Sequence, residues 1–216
     1  CALPISGITE FVVCASAYQP WKDRIPGNTA GGREYCLNRN NTYWKYSSPF
    51  WDYQSRCAGL LRKGKPIVDL CVFIGDDAPV KLLANRLPEI PEGYNFDVAT
   101  TDALQQMSID HHDIKMPEGM KYKMIVIDGS TYISKKALSK IDEMVRNGAI
   151  LYANKKDCIS YAMKYGIDQA YQECVDSLWG TDEHSENIHT YGKGKVYQNI
   201  SLAEVLADAG ISPDIR

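Results

Sequence analysis

The sequence has little that would mark a metal protein or a disulfide-stabilised one. Its seven cysteines are odd in number and include no CxxC pair. That excludes a zinc knuckle and argues against a disulfide framework in a chain of 216 residues. Most of these cysteines lie among apolar residues, so we expect them to be small buried hydrophobes.

The chain also lacks an excess of basic charge and any long apolar run. Its net charge is −3, so it has no basic field to bind nucleic acid or an anionic membrane surface. No apolar run approaches the roughly 18–20 residues needed to span a bilayer. The opening residues, CALPISGITEF, lack a basic segment followed by an apolar one, so we expect no signal peptide within them. We therefore expect a globular protein with neither nucleic acid nor membrane as partner.

Two compositional zones predict two domains. Residues 1–64 are rich in aromatic residues, Asn, Arg and Gly, whereas residues 65–216 alternate short apolar runs with amphipathic helices. In the first zone a buried strand at 10–17 precedes a long polar loop, and a helix capped by Ser48 ends at Gly64. One strand, loop and helix make a single βα unit, which is too small to fold alone.

The second domain is predicted to be an α/β fold with five strands. These strands are expected at 66–75, 95–101, 121–128, 149–155 and 195–200. Ser134, Asp157, Asp168 and Ser201 are expected to cap helices, and residues 108–120 to form a hairpin. The alternation favours a doubly wound, mostly parallel sheet of the flavodoxin-like type, similar to class I amidotransferases.

Polar residues follow several of these strands, at the edge where an open α/β sheet binds its ligands. Asp76 and Asp77 follow the first strand, and Asp128 ends the third. With Lys155 after the fourth, they are similar to the Mg²⁺-dependent phosphoacceptor site of a signalling receiver domain. The lysine follows the wrong strand for that site, so loop acids that cap helices are the simpler explanation, and the receiver stays an alternative.

Two more groups of residues could support chemistry. Cys158 lies near a strand end with His184 and His189 downstream, but it lacks the Gly-flanked elbow that a nucleophile of this kind needs. His111 and His112 are adjacent in the predicted hairpin. Because neighbouring residues of a strand point to opposite sides, we do not expect them to share a metal ion.

The long loop of the first zone has the strongest candidate binding residues. Gln19 and Trp21 follow the predicted strand, and Glu34 and Trp44 lie farther along. Aromatic rings among amide and charged groups at a strand end are typical of a sugar-binding rim. The same tryptophans could instead fill the seam between two domains, and both interpretations stay open.

Several segments resemble glycoside hydrolase family 106, the α-L-rhamnosidases. They are SAYQPW (16–21), PGNTAGG (26–32), NRNNTYW (38–44), the stretch 51–79 that ends in GDDAP and, more loosely, 87–97 and 115–128. The resemblance implies that 1–64 is the last βα unit of a TIM-like barrel. It implies that 65–216 is the amidotransferase-like domain that packs beside the barrel.

The resemblance also implies an activity. Family members act on terminal α-L-rhamnose of plant polysaccharides by inversion and with calcium, which requires an acid and a base carboxylate. Those carboxylates would lie upstream of Cys1, so we expect no catalytic residue in this chain. The expected substrate-binding residues are Gln19, Trp21, Glu34, Trp44, Asp76 and Asp77.

The resemblance and the composition leave several points open. The parent enzyme would be exported, to the periplasm or outside the cell. A family of barrel β-galactosidases has a comparable second domain, so galactosides remain an alternative substrate class. A structural or partner-binding module is a further possibility. In such a module, or in a fragment separated from its parent enzyme, the apolar residues of 1–64 would favour self-association.

Overall fold

The computed structural model describes residue 10 and residues 17–29, 38–76, 89–127, 132–155, 168–181 and 187–213. The chain divides into two units, Cys1–Pro66 and Ile67–Arg216. Within the described ranges, every helix is too short or too polar to cross a bilayer. The predicted strand at 10–17 lies almost wholly outside these ranges.

The described part of the first unit is an irregular loop followed by a 3₁₀ turn, Trp44–Tyr46, and helix α1, Ser48–Leu61. Ser48 was expected to cap this helix, but the capping position is Ser47, and the Ser48 hydroxyl bonds to Asp52 instead. The helix also ends before Gly64. The backbone N–H of Arg62 already bonds to the carbonyl of Ala58, which closes the last turn.

The described strands and remaining helices lie in the second unit. The strands are β1 (Leu70–Phe73), β2 (Phe96–Ala99), β3 (Ser108–Asp110), β4 (Asp113–Lys115), β5 (Lys121–Tyr122), β6 (Met124–Ile127), β7 (Ile150–Ala153), β8 (Ile188–Tyr191) and β9 (Gly194–Tyr197). The helices are α2 (Thr101–Gln106), α3 (Lys135–Asn147), α4 (Gln169–Trp179) and α5 (Leu202–Asp208).

The main sheet has the order β2-β1-β6-β7-β9-β8. All five predicted strands are present and pair with one another in parallel, which confirms a mixed α/β fold with a mostly parallel sheet. The expected number of five strands is wrong, because β8 adds an antiparallel edge strand to β9. A second, antiparallel sheet, β3-β4-β5, contains the predicted hairpin.

Apolar residues cover both faces of the main sheet. Leu70 and Val72 of β1 belong to a core that includes α5. Cys71 and Phe73, which alternate with them, belong to the opposite core with α3 and α4. Strands β1 and β6 are buried throughout, as central parallel strands are. Each fully buried large apolar side chain contributes about 1.5–3 kcal/mol, so this two-sided burial stabilises the unit.

Local signals set the helix boundaries of the second unit. The side chains of Ser134, Asp168 and Ser201 each accept a hydrogen bond from the backbone N–H three residues later. Ser201 forms the predicted capping box with Glu204. Gly148 ends α3 with a φ of 126°, which suits glycine. The predicted caps at Ser134, Asp168 and Ser201 are confirmed, and the one predicted at Asp157 lies outside the described residues.

Candidate functional site

The side chain of Gln19 holds the loop of the first unit together. Its Oε1 accepts hydrogen bonds from the backbone N–H of Asn28, at 2.9 Å, and from Asn40 Nδ2, at 3.3 Å. Its Nε2 donates to the Asn28 carbonyl at 2.5 Å. Gln19 is only 8% exposed. The amide that we expected to bind substrate therefore bonds to the protein itself at both ends.

Arg39 and Asn40 complete this network. Arg39 Nη2 donates to the carbonyls of Gln19 and Trp21, at 2.8 and 2.9 Å. Asn40 Nδ2 donates to the Pro26 carbonyl at 3.2 Å. These bonds join residues 14 to 21 positions apart in the sequence. The segment thus has a defined backbone path without forming a helix or a strand.

We expect Gln19→Ala to destabilise the first unit by about 1–3 kcal/mol, because it removes both bonds to the Asn28 backbone and the bond to Asn40. Urea unfolding followed by tryptophan fluorescence would measure this loss. Lys22→Ala, at an exposed position of the same loop, is the matched control and should change stability by less than about 0.5 kcal/mol. Equal effects of the two substitutions would contradict the clamp role of Gln19.

Exposed aromatic side chains lie along this loop and in the 3₁₀ turn that follows it. Trp21 is 43% exposed and Trp44 40% exposed, and the larger group comprises Tyr18, Trp21, Tyr43, Trp44 and Tyr46. The guanidinium of Arg24 lies 4.9 Å from the centre of the Trp21 ring. We call these five residues the aromatic rim. Partly exposed rings suit stacking against the apolar face of a sugar. Glu34, the remaining candidate in this loop, lies outside the described residues.

Asp76 links three segments of the second unit. Its Oδ1 accepts from the Thr101 hydroxyl at 2.5 Å, and its Oδ2 accepts from the Ser134 backbone N–H at 2.9 Å. Its own N–H donates to the Tyr132 carbonyl at 2.9 Å. Both carboxylate oxygens therefore join β1 to the starts of α2 and α3. Asp77, its expected companion, lies outside the described residues.

More polar groups at the carboxyl edge of the sheet also bond within the chain. Asn154 Oδ1 accepts from the backbone N–H of Asn199 at 2.7 Å. Lys155 Nζ donates to the Gly180 carbonyl at 2.7 Å. Of the remaining residues that the sequence suggested for this edge, Asp128 and Cys158 lie outside the described residues. Within the described part, this edge is held by internal hydrogen bonds.

The described residues contain no cluster of metal ligands, and the thiol of Cys71 is unreactive. Burial, with a smaller contribution from the Asp97 carboxylate, raises the pKa of the Cys71 thiol to about 12. This thiol stays protonated and cannot act as a nucleophile. His189 Nε2 lies 3.2 Å from the Ser177 carbonyl, so it also has a partner within the chain. No three His, Cys, Asp or Glu side chains in the described ranges gather as metal ligands.

Sequence reasoning did not predict the cavity beside the β3–β4 hairpin, because it considered only the carboxyl edge of the sheet. His111 and His112, expected to point to opposite sides, both line a cavity of about 420 Å³. Strand alternation does not apply to them, because both residues form the turn of the hairpin, with positive φ angles. The pair of adjacent histidines was the one feature of the sequence that could have indicated this cavity.

Comparison with known proteins identifies the family. A family model described as alpha-L-rhamnosidase, glycoside hydrolase family 106, matches residues 3–216. The chain belongs to this family. The family 106 chain is 32% identical over 176 residues to a putative beta-glucuronidase of Formosa agariphila, a match that covers 81% of the chain and 15% of the relative.

A solved structure agrees with the fold. The rhamnosidase from Novosphingobium sp. PP1Y superposes with a TM-score of 0.79 at 24% identity, over 97% of the family 106 chain and 20% of that protein. At this identity the likeness concerns the fold alone. The family 106 chain spans a fifth or less of the length of either relative.

Proposed function

We propose that this chain is part of a longer glycoside hydrolase that removes terminal α-L-rhamnose from plant-type polysaccharide. The aromatic rim carries this proposal. Its rings are exposed, and the network around Gln19 sets the backbone that presents Trp21. A preordered, partly apolar edge is suited to a sugar ring, because little ordering is needed on binding. In this proposal the first unit is the last βα unit of a TIM-like barrel.

The second unit is proposed to be an accessory domain of flavodoxin-like, amidotransferase-like type. Its five parallel strands have the order second, first, third, fourth, fifth along the sequence, which is the flavodoxin order. The bonds made by Asp76, Asn154 and Lys155 support an accessory role, since the edge that holds a ligand in such folds is bridged internally.

The catalytic groups are proposed to lie elsewhere in the parent enzyme. Inversion needs two carboxyl groups about 6.5–9.5 Å apart, on opposite faces of the sugar. The Asp76 carboxylate bonds to Thr101 and to the Ser134 backbone, so it is proposed to be structural and not one of this pair. Calcium, which the family resemblance implies, is proposed to bind elsewhere in the parent enzyme.

Binding and turnover by the 216-residue chain test this proposal. We expect no hydrolysis of an aryl α-L-rhamnoside but saturable quenching of tryptophan fluorescence by methyl α-L-rhamnoside. Trp21→Ala and Trp44→Ala should each weaken binding about two- to tenfold, from the loss of one stacking contact. Leu60→Ala, at another exposed apolar position of the first unit, should leave affinity unchanged. Hydrolysis by the chain would contradict the accessory role.

A uronic acid is a second candidate substrate. The relative from Formosa agariphila is described as a putative beta-glucuronidase. Arg24 lies beside the ring of Trp21, where a guanidinium could pair with a sugar carboxylate. Titration with methyl β-D-glucuronide distinguishes the two candidates. Tighter binding of the glucuronide, lost in Arg24→Ala, would favour the acid sugar.

A signalling receiver and a purely structural module gain no support from these relatives. Neither role corresponds to what the family model or the two relatives are named for. Self-association through residues 1–64 stays a prediction, for which light scattering is the direct measurement.

A further inference from the structure

The turn of the β3–β4 hairpin contains two histidines where small residues are preferred. Asp110 and Asp113 are the last paired residues, so the connection consists of His111 and His112 alone. Their φ angles are 52° and 80°. A two-residue hairpin turn of this kind favours Asn-Gly, because a bulky side chain is strained at positive φ. Strained residues of this sort cluster where a ligand is held.

These histidines line an open cavity at the amino-terminal edge of the main sheet. The cavity has a volume of about 420 Å³ and is lined by Ile109, His111, His112, Glu143, Asn147 and Lys193. Gly148 and Lys193 closely precede β7 and β9, which places the cavity at the edge opposite the one that binds ligands in most α/β folds. We call it the hairpin-tip cavity. Its volume suits one or two sugar-sized groups.

Hydrogen bonds define the tautomer of both rings in their neutral form. His112 Nδ1 lies 3.1 Å from the carbonyl of Gly148, which can only accept, so Nδ1 carries the proton and donates. His111 Nδ1 donates in the same way to Asp110 Oδ1 at 2.7 Å. Each ring therefore has Nε2 as its remaining acceptor. Two imidazole acceptors at the tip of one turn fit hydroxyl donors.

The remaining polar groups of the cavity supply the complementary donors. The Lys193 ammonium is a donor, and its backbone N–H bonds to the Arg146 carbonyl at 3.0 Å, which ties the β8–β9 turn to the end of α3. Asn147 Nδ2 donates to the Glu143 carbonyl at 2.8 Å and has a second N–H and its amide oxygen besides. The Glu143 carboxylate pairs with Lys140 at 3.0 Å.

We propose that the hairpin-tip cavity binds an uncharged sugar residue through vicinal hydroxyls. A hydroxyl both donates and accepts, so adjacent hydroxyls match a lining that holds histidine acceptors together with Lys193 and Asn147 donors. Glu143 in the lining disfavours an anionic ligand. A metal ion is disfavoured too, because no three metal-binding side chains gather within the described residues. This second site does not depend on the assignment of the aromatic rim.

The test uses the whole 216-residue chain with methyl α-L-rhamnoside and methyl β-D-galactoside as probes. Nitrogen-edited NMR should show saturable shifts of the Asn147 side-chain amide and the Lys193 backbone amide. The double substitution His111→Asn/His112→Gly restores the preferred turn while removing both imidazoles. We expect it to keep the hairpin, with an unchanged or higher thermal midpoint, and to weaken sugar binding at this cavity about tenfold or more.

Lys193→Ala is the second variant. Its matched control is Lys195→Ala, because Lys195 is an exposed lysine of the same β8–β9 hairpin and does not line the cavity. Only Lys193→Ala should weaken binding. Unchanged affinity in the double variant and in Lys193→Ala would overturn the proposal, as would preferential binding of methyl β-D-glucuronide at these amides. Signals of the Trp21 and Trp44 indoles report the aromatic rim separately, so the two sites fail or succeed independently.

Discussion

Replacing Trp179 by alanine is expected to lower the free energy of unfolding of the second unit by about 3–5 kcal/mol. Trp179 is fully buried at the end of α4. Its indole N–H donates to the Ala153 carbonyl at 2.8 Å, at the carboxyl end of β7. The substitution removes the largest fully buried side chain and leaves that carbonyl without this donor. Urea unfolding followed by far-UV circular dichroism would measure the loss.

Trp179→Phe separates the loss of buried side-chain volume from the loss of the hydrogen bond. Phenylalanine keeps much of the buried apolar surface but cannot donate to the Ala153 carbonyl, so it should cost about 1–3 kcal/mol. If both substitutions cost the same, the hydrogen bond would dominate and the filled volume would matter little.

Asp76→Ala is expected to cost about 2–4 kcal/mol of stability. Hydrogen bonds to a charged group contribute about 1.5–3 kcal/mol each, and two bonds to the same carboxylate do not add fully. The substitution would release Thr101 and the backbone N–H of Ser134 from β1. Chemical denaturation of the whole chain measures the change.

Asp102→Ala is the matched control for Asp76→Ala. The Asp102 side chain is 90% exposed and pairs only at 3.4 Å with Lys136, so its removal should cost less than about 1 kcal/mol. Wild-type stability in Asp76→Ala would mean that the carboxylate is not a structural clamp. Asp76 would then return as a candidate ligand-binding residue at the carboxyl edge, and the accessory role would lose its main support.

Signals that act within a few residues are visible in the sequence. The caps at Ser134, Asp168 and Ser201 require only a side-chain oxygen and a backbone N–H three residues later. The five parallel strands are short apolar runs between helices, because a strand covered on both faces must be apolar on both. Strand β8 was missed, since its residues are only partly buried or exposed and show no apolar run.

The candidate sites depended on contacts that the sequence does not display. Gln19 was expected to bind substrate, but its partners Asn28 and Asn40 are 9 and 21 residues away. Asp76 was expected to be a ligand-binding acid, yet its partner Ser134 is 58 residues away. The residue type was informative in both cases, because a buried amide or carboxylate needs partners. Which partners it finds is decided by folding.

The sequence by itself determined the α/β class, the parallel strands, the helix caps and the likeness to family 106, because these follow from local periodicity and short motifs. Only the tertiary structure decided which polar groups are structural and which face a cavity. It turned Gln19 and Asp76 into clamps, left Trp21 partly exposed, and brought His112 and Lys193, 81 positions apart in the sequence, to the lining of one cavity. The physical reason is that burial and hydrogen-bond partners are properties of the packed chain, in which residues distant in sequence become neighbours.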